Sequence, residues 1–187
     1  MALKDYTILA AILAGTSLSA AAHSQSTTPT PPAPCSSEEY RQLDFWVGDW
    51  HAEWDNGDGT TGHGENRVTR GEFGDCVIYE RFSTDQFPGV SPVLGMSVST
   101  YFPPSGQWRQ TWVDNQGSYF ALVGGPVEGE AHTFELTVSQ LNENAPQQRM
   151  IWQDVAEDRF TWRWQGRASA DEDWADRWVI DYTRMEE

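Results

Sequence analysis

Lysine is almost absent. The chain has 187 residues and one Lys, Lys4, so every later side chain with a permanent positive charge is an arginine. With Lys+Arg 12 against Asp+Glu 28, the formal net charge is −16, which repels nucleic acid and anionic membrane and excludes a partner read through its phosphates. Cysteine is scarce too: Cys35 and Cys76 are the only two. Histidine is limited to four residues, and His51, His63 and His132 fall on separate extended segments. His51 and Glu53 share one strand face, but two ligands are too few for a zinc site, so no metal is expected. There is no Gly-x-Ser-x-Gly or other nucleophile signature. No apolar run is long enough to cross a bilayer, because the longest, from Ile8 to Leu18, falls short of the roughly 20 residues a spanning helix needs.

That run has another use. Lys4 and Asp5 precede it, and Ala20-Ala21-Ala22 follow it with the small side chains that signal peptidase accepts, which predicts a secretory signal over residues 1–22. Residues 23–34 are rich in Pro, Ser and Thr and have too little apolar surface to order themselves, so they read as a flexible tether. Residues 35–187 are enough for one sizeable core and too few for two. The expected product is a periplasmic or secreted single domain, monomeric or weakly dimeric, with no membrane insertion once the signal is removed. In that oxidising setting an even cysteine count favours a Cys35–Cys76 disulfide. Closing a loop of about 40 residues is worth about 4 kcal/mol in the chain-entropy picture.

What the domain has in abundance is period-2 alternation. Trp50, Ala52 and Trp54 share one face while Asp49, His51 and Glu53 take the other. Similar runs follow at 63–70, 76–82, 93–102, 107–114, 118–123, 132–140, 148–155, 159–168 and 174–183, about ten strands in all. Turn signals such as NGDG at 56–59, PPSG at 103–106 and NQG at 115–117 separate them. Short links between successive strands make an antiparallel meander, and closing it removes its edges. The predicted fold is therefore all-β, an up-and-down antiparallel barrel. A two-sheet sandwich shares the same periodicity. Residues 36–44, SSEEYRQLD, read as a short helix leading into the first strand.

The composition also includes ten Trp, six Tyr and eight Phe. Sorting them by strand face groups Trp108, Gln110, Trp112 and Asp114; Phe160, Trp162 and Trp164; Trp174, Trp178, Ile180 and Tyr182; Cys76, Ile78, Glu80 and Phe82; and Met150, Trp152 and Asp154. So many indoles exceed what efficient packing with aliphatic side chains calls for. An aromatic lumen with a few polar groups is the usual make-up of a small-molecule site. The expected ligand-binding residues are Trp50, Trp112, Trp152, Trp162 and Trp164 as walls, with Glu80, Gln110 and Asp114 orienting a polar group. Glu80 and Asp114 are the candidates for catalysis, since burial would raise a carboxyl pKa and keep a proton available. Three functions remain open: a binder of a small hydrophobic or aromatic molecule, a lyase or isomerase using a buried carboxylate, and a solid-core envelope or interaction protein.

Gly48-Asp49-Trp50 resembles the Gly-x-Trp of lipocalins and other calycins, in which the Trp closes one barrel end beneath a basic residue from a late strand. That resemblance implies Arg184 or Arg177 as the partner by cation–π contact. "LDFWVGDW", "GDCVIYERF" and "YFPPSGQWRQTWVDNQG" resemble the DUF1579-like group, an exported bacterial family without a settled function, across most of residues 38–184. The resemblance implies a calycin-like barrel and leaves activity open. The calycin-like nitrobindins hold haem through a His near the chain end; here the last His is His132, so no cofactor is expected.

Overall fold

The computed structural model describes residues 33–86, 89, 92–130, 132–139 and 145–186. The expected signal peptide, and all but the last two residues of the tether, lie outside the described residues. The strands are β1 (Gly48–Asp55), β2 (Thr61–Thr84), β3 (Val93–Phe102), β4 (Gln107–Asp114), β5 (Tyr119–Pro126), β6 (Phe134–Val138), β7 (Gln147–Gln153), β8 (Arg159–Arg167) and β9 (Ala175–Arg184). Each pairs antiparallel with the next, and β9 returns to β1 through Trp50 opposite Arg184 and Glu53 opposite Asp181, which closes the barrel.

β2 is one continuous extended run that doubles back on itself. Its first limb pairs with β1, from Thr61 opposite Asp55 to Val68 opposite Gly48. Its second limb pairs with β3, from Val77 opposite Thr100 to Thr84 opposite Val93. The limbs join where Thr84 Oγ1 donates to the His63 carbonyl at 2.6 Å. Gly71 and Gly74, with φ of 116° and 65°, allow the reversal between them. With the limbs counted separately the barrel has ten strands, and it is the up-and-down form that alternation predicted rather than a sandwich.

The segment entering β1 forms two short 3-10 turns, Glu38–Arg41 and Asp44–Trp46, where the sequence predicted one short helix. It closes one end of the barrel. Leu43 and Trp46 are buried, Trp46 packs edge-on against Trp152 at 5.2 Å, and the Trp108 indole donates to Gln42 Oε1 at 3.0 Å. Two fasteners hold this plug. Arg70 donates to the Tyr40 carbonyl at 2.9 Å and to Asp44 Oδ1 at 2.6 Å. Cys35 is disulfide-bonded to Cys76, with Cα atoms 5.0 Å apart, so the arm is pinned to the start of the second β2 limb.

Trp50 belongs to this closed end. It is fully buried, donates its indole N–H to the Trp46 carbonyl at 2.9 Å, and meets Phe160 edge-on at 4.7 Å. The Arg184 guanidinium covers its face with the carbon 4.1 Å from the ring centre. Of the two arginines implied by the resemblance, Arg184 is the one that makes the contact.

Candidate functional site

One strand leaves space for the large side chains of its neighbours. Along β3 the alternation puts Val93, Gly95, Ser97, Ser99 and Tyr101 on the inner face, so three consecutive inward positions are small. The large members, Leu94, Met96 and Val98, face outward and are exposed. Registered across β2, β3 and β4, Glu80 stands opposite Ser97 and Ser97 opposite Trp112. The short serine between carboxylate and indole is buried and gives its hydroxyl to the carboxylate. The Trp112 ring lies close over Gly95, in space that any side chain there would take.

The result is a cavity of about 290 Å³, just under the roughly 300–1,000 Å³ common for small-molecule sites. Trp112, Trp152, Trp162, Trp164 and Trp178 form most of its wall, with Phe120 and Met150, and Glu80 and Tyr182 lie at its depth. Asp114, Gln116 and Ser118, from the turn joining β4 to β5, stand at the end away from the plug. Trp162 and Trp164 lie nearly parallel, with ring planes 14° apart, while Trp178 stands at 88° to Trp162. A filled interior, which a solid-core protein requires, is not what these side chains make.

Glu80 is the buried charge of the lumen. Its Oε2 accepts the Ser97 hydroxyl at 2.7 Å and its Oε1 accepts the Asn66 amide at 2.8 Å. Removal from water pushes its pKa up to about 7, a rise that these two hydrogen bonds only partly offset. Tyr182 is lifted well above the usual phenol value by burial and then by the Glu80 charge, so it keeps its proton.

Asp114 corrects the sequence-based expectation. Partial burial alone would raise its pKa, but hydrogen bonds from the Ser118 and Gln116 backbone N–H groups, the Ser118 side chain and the Trp112 indole outweigh it, and the net shift is downward. Asp114 is thus an ionised acceptor that shapes a turn and fixes Trp112, not a proton reservoir.

Of the expected ligand-binding residues, Glu80, Trp112, Trp152, Trp162 and Trp164 come together around the cavity. Trp50 and Gln110 face inward but do not line it. Trp50 lies beneath the plug, and Gln110 is buried one inward position below Trp112, donating to Ser99 Oγ at 2.9 Å. Among the described residues, the buried Gln110 Oε1 and Trp152 Nε1 atoms have no hydrogen-bond partner.

Trp174 departs from its expected company. Trp164 pairs with Trp178 but Gln165 pairs with Asp176, so Arg177 is an extra residue and the strand changes face at this bulge. Trp174 is then held between Arg149 and Arg167, whose guanidinium carbons lie 4.2 Å and 4.4 Å from its ring centre. Asp154, grouped by alternation with Met150 and Trp152, likewise turns out to solvent, at a φ of 53°. Sequence reasoning missed Phe120 and Trp178 as wall residues and the part played by Ser97. For Phe120 the signal was its alternation with Leu122 on β5, opposite Trp112; for Ser97 it was the small inner face of β3, which the large residues at Leu94, Met96 and Val98 obscure.

No protein-family model matches the chain, and no curated protein matches it in sequence. Among solved structures it is similar to a redesigned β-barrel, at 12% identity and a TM-score of 0.40, over 78% of this chain and 96% of that one. What fold and site define is a class: a closed antiparallel barrel, plugged at one end, with an aromatic cavity above the plug.

Proposed function

We propose that the protein is an exported, calycin-like barrel of the DUF1579-like kind that binds a small hydrophobic or aromatic molecule in its lumen. The observation that carries this reading is the indole-walled cavity with a buried carboxylate at its depth. Binding is driven by desolvation of flat apolar surface, worth about 25 cal/mol per Å² before ordering costs. Trp112, Trp152, Trp162 and Trp164 supply the walls and Glu80 orients a polar group. The Cys35–Cys76 disulfide supports an oxidising compartment, periplasmic or extracellular. The protein acts as a monomer or weak dimer, without nucleic acid or membrane insertion.

The test is a titration of intrinsic Trp fluorescence with a panel of ring compounds, paired with thermal unfolding. Quenching that saturates, together with a rise in Tm, is expected for at least one compound. No change with any of them overturns the reading.

A second reading, an isomerase or lyase on the same barrel, is favoured by the Glu80 pKa of about 7, poised for proton transfer with the Tyr182 phenol nearby. It requires that Glu80→Gln abolish turnover while leaving ligand affinity largely intact.

A further inference from the structure

We propose that the guest of the lumen is an apolar cation, an aromatic or alkylated amine or a quaternary ammonium, seated among the Trp rings with its positive charge toward the Glu80 carboxylate. This rests on the ligand-binding reading and narrows it to one sign of charge.

The first ground is the charge of the lining. Among the described residues, its ionisable members are Glu80, Asp114 and Tyr182, with no Arg, Lys or His. An anionic guest would meet two acids and no counter-charge. A neutral guest would leave the Glu80 carboxylate buried with hydrogen bonds alone, from Ser97 and Asn66. A cation supplies the missing partner, and a buried charge is stable when it is both paired and hydrogen-bonded.

The second ground is how the rings are used. The Trp112 indole N–H is taken by Asp114 Oδ2 at 3.1 Å, and the Trp162 N–H points to Met150 Sδ at 3.4 Å. What these two side chains have left to offer a guest is π surface, which carries negative potential and attracts cations. The near-parallel Trp162 and Trp164, with Trp178 standing across Trp162 at a centroid distance of 5.8 Å, make an aromatic corner of the kind that holds alkylated ammonium groups. A chain of net charge −16 also raises the local concentration of cations around such a mouth.

The groups facing Glu80 determine its response to pH. Asn66 comes from the first limb of β2, Ser97 from β3, Tyr182 from β9, and Asp114 stands farther out on β4. None of them is basic. Tyr182 stays protonated and Asp114 stays ionised across the neutral range, so Glu80 is the group that titrates, from a starting point of about 7. Attraction for a cation therefore grows as pH rises through that value.

The experiment is calorimetric titration of the disulfide-bonded protein with phenyltrimethylammonium, whose charge is permanent, and with its uncharged isostere tert-butylbenzene and the anion benzoate. All three are measured at about 0.15 M salt to limit surface steering. Between pH of about 5.5 and about 8.5, phenyltrimethylammonium affinity should rise about tenfold or more while tert-butylbenzene affinity stays level. Glu80→Gln should remove that slope. If that variant fails to fold, the slope in the unaltered protein remains the readout. A level response for the cation overturns the proposal but leaves an apolar binding cavity. Benzoate binding that tightens as pH falls overturns it in favour of an acid guest. Failure of all three to bind overturns this proposal and the ligand-binding reading together.

Discussion

The Arg184 guanidinium lies over the Trp50 ring, 4.1 Å from its centre, and the same group donates to the Val47 carbonyl at 3.0 Å and the Phe45 carbonyl at 3.3 Å. One side chain from the last strand thus caps the first strand's buried indole and ties down the plug that precedes it. Arg184→Met keeps much of the apolar stem but loses the cation–π contact and strands the carbonyls. A stability loss of about 2–3 kcal/mol is expected by chemical denaturation. Gly48→Ala should be as harmful, because φ there is 145° and a Cβ would collide with the Arg184 guanidinium.

The disulfide acts on the unfolded chain rather than on the lumen. Cys35 and Cys76 are 41 residues apart in sequence, so replacing both with Ser should lower stability by about 4 kcal/mol. Ligand affinity should stay within about twofold, since Arg70 still holds the plug through Tyr40 and Asp44. The check is denaturant unfolding alongside a binding titration. A large loss of affinity with an intact fold would contradict the division between plug and cavity.

Glu80 makes stability depend on pH in a defined direction. Its pKa in the folded protein, about 7, lies above the ordinary value of 4.5. The unfolded chain therefore gives up this proton first as pH rises. The favourable contribution is fully present below about 4.5 and is lost as pH climbs through 7, a change of the order of 3 kcal/mol. Glu80→Gln should flatten that part of the stability profile, measured by unfolding at a series of pH values. An unchanged slope in the variant would mean that another group carries it.

Gly95 controls the position of a wall. A β-branched side chain there meets the six-membered ring of Trp112, and Trp112 is further held by its bond to Asp114. Gly95→Val should displace the indole into the lumen and reduce affinity for an apolar probe by about tenfold or more, with an altered near-ultraviolet signature for the Trp. Because Gly95 lies within β3, the strand pairing should persist.

The strands and their closure were legible in the sequence because alternation between buried and exposed faces has a period of two. Depth within the barrel was not legible. Trp50 and Gln110 face inward as expected, yet neither reaches the cavity, because alternation reports a face and says nothing about height along the lumen. Height is decided by the plug of Leu43 and Trp46, a tertiary contact that no local pattern encodes. Trp174 was misplaced for a related reason: the single extra residue at Arg177 reverses the face, and a bulge leaves no reliable mark in a charged, aromatic segment. Glu80 stood out as the odd member of an apolar face, and that oddness is what marks the site.

The central claim is that a guest molecule occupies the space between Trp112, Trp162 and Trp178. Diffraction from crystals of the protein grown with bromobenzene tests it most directly. The expected result is an anomalous bromine peak among those rings, within reach of Glu80 and above Trp152. A lumen closed by its own side chains, with bromine absent or found only on the outer surface around Leu94 and Met96, would contradict it.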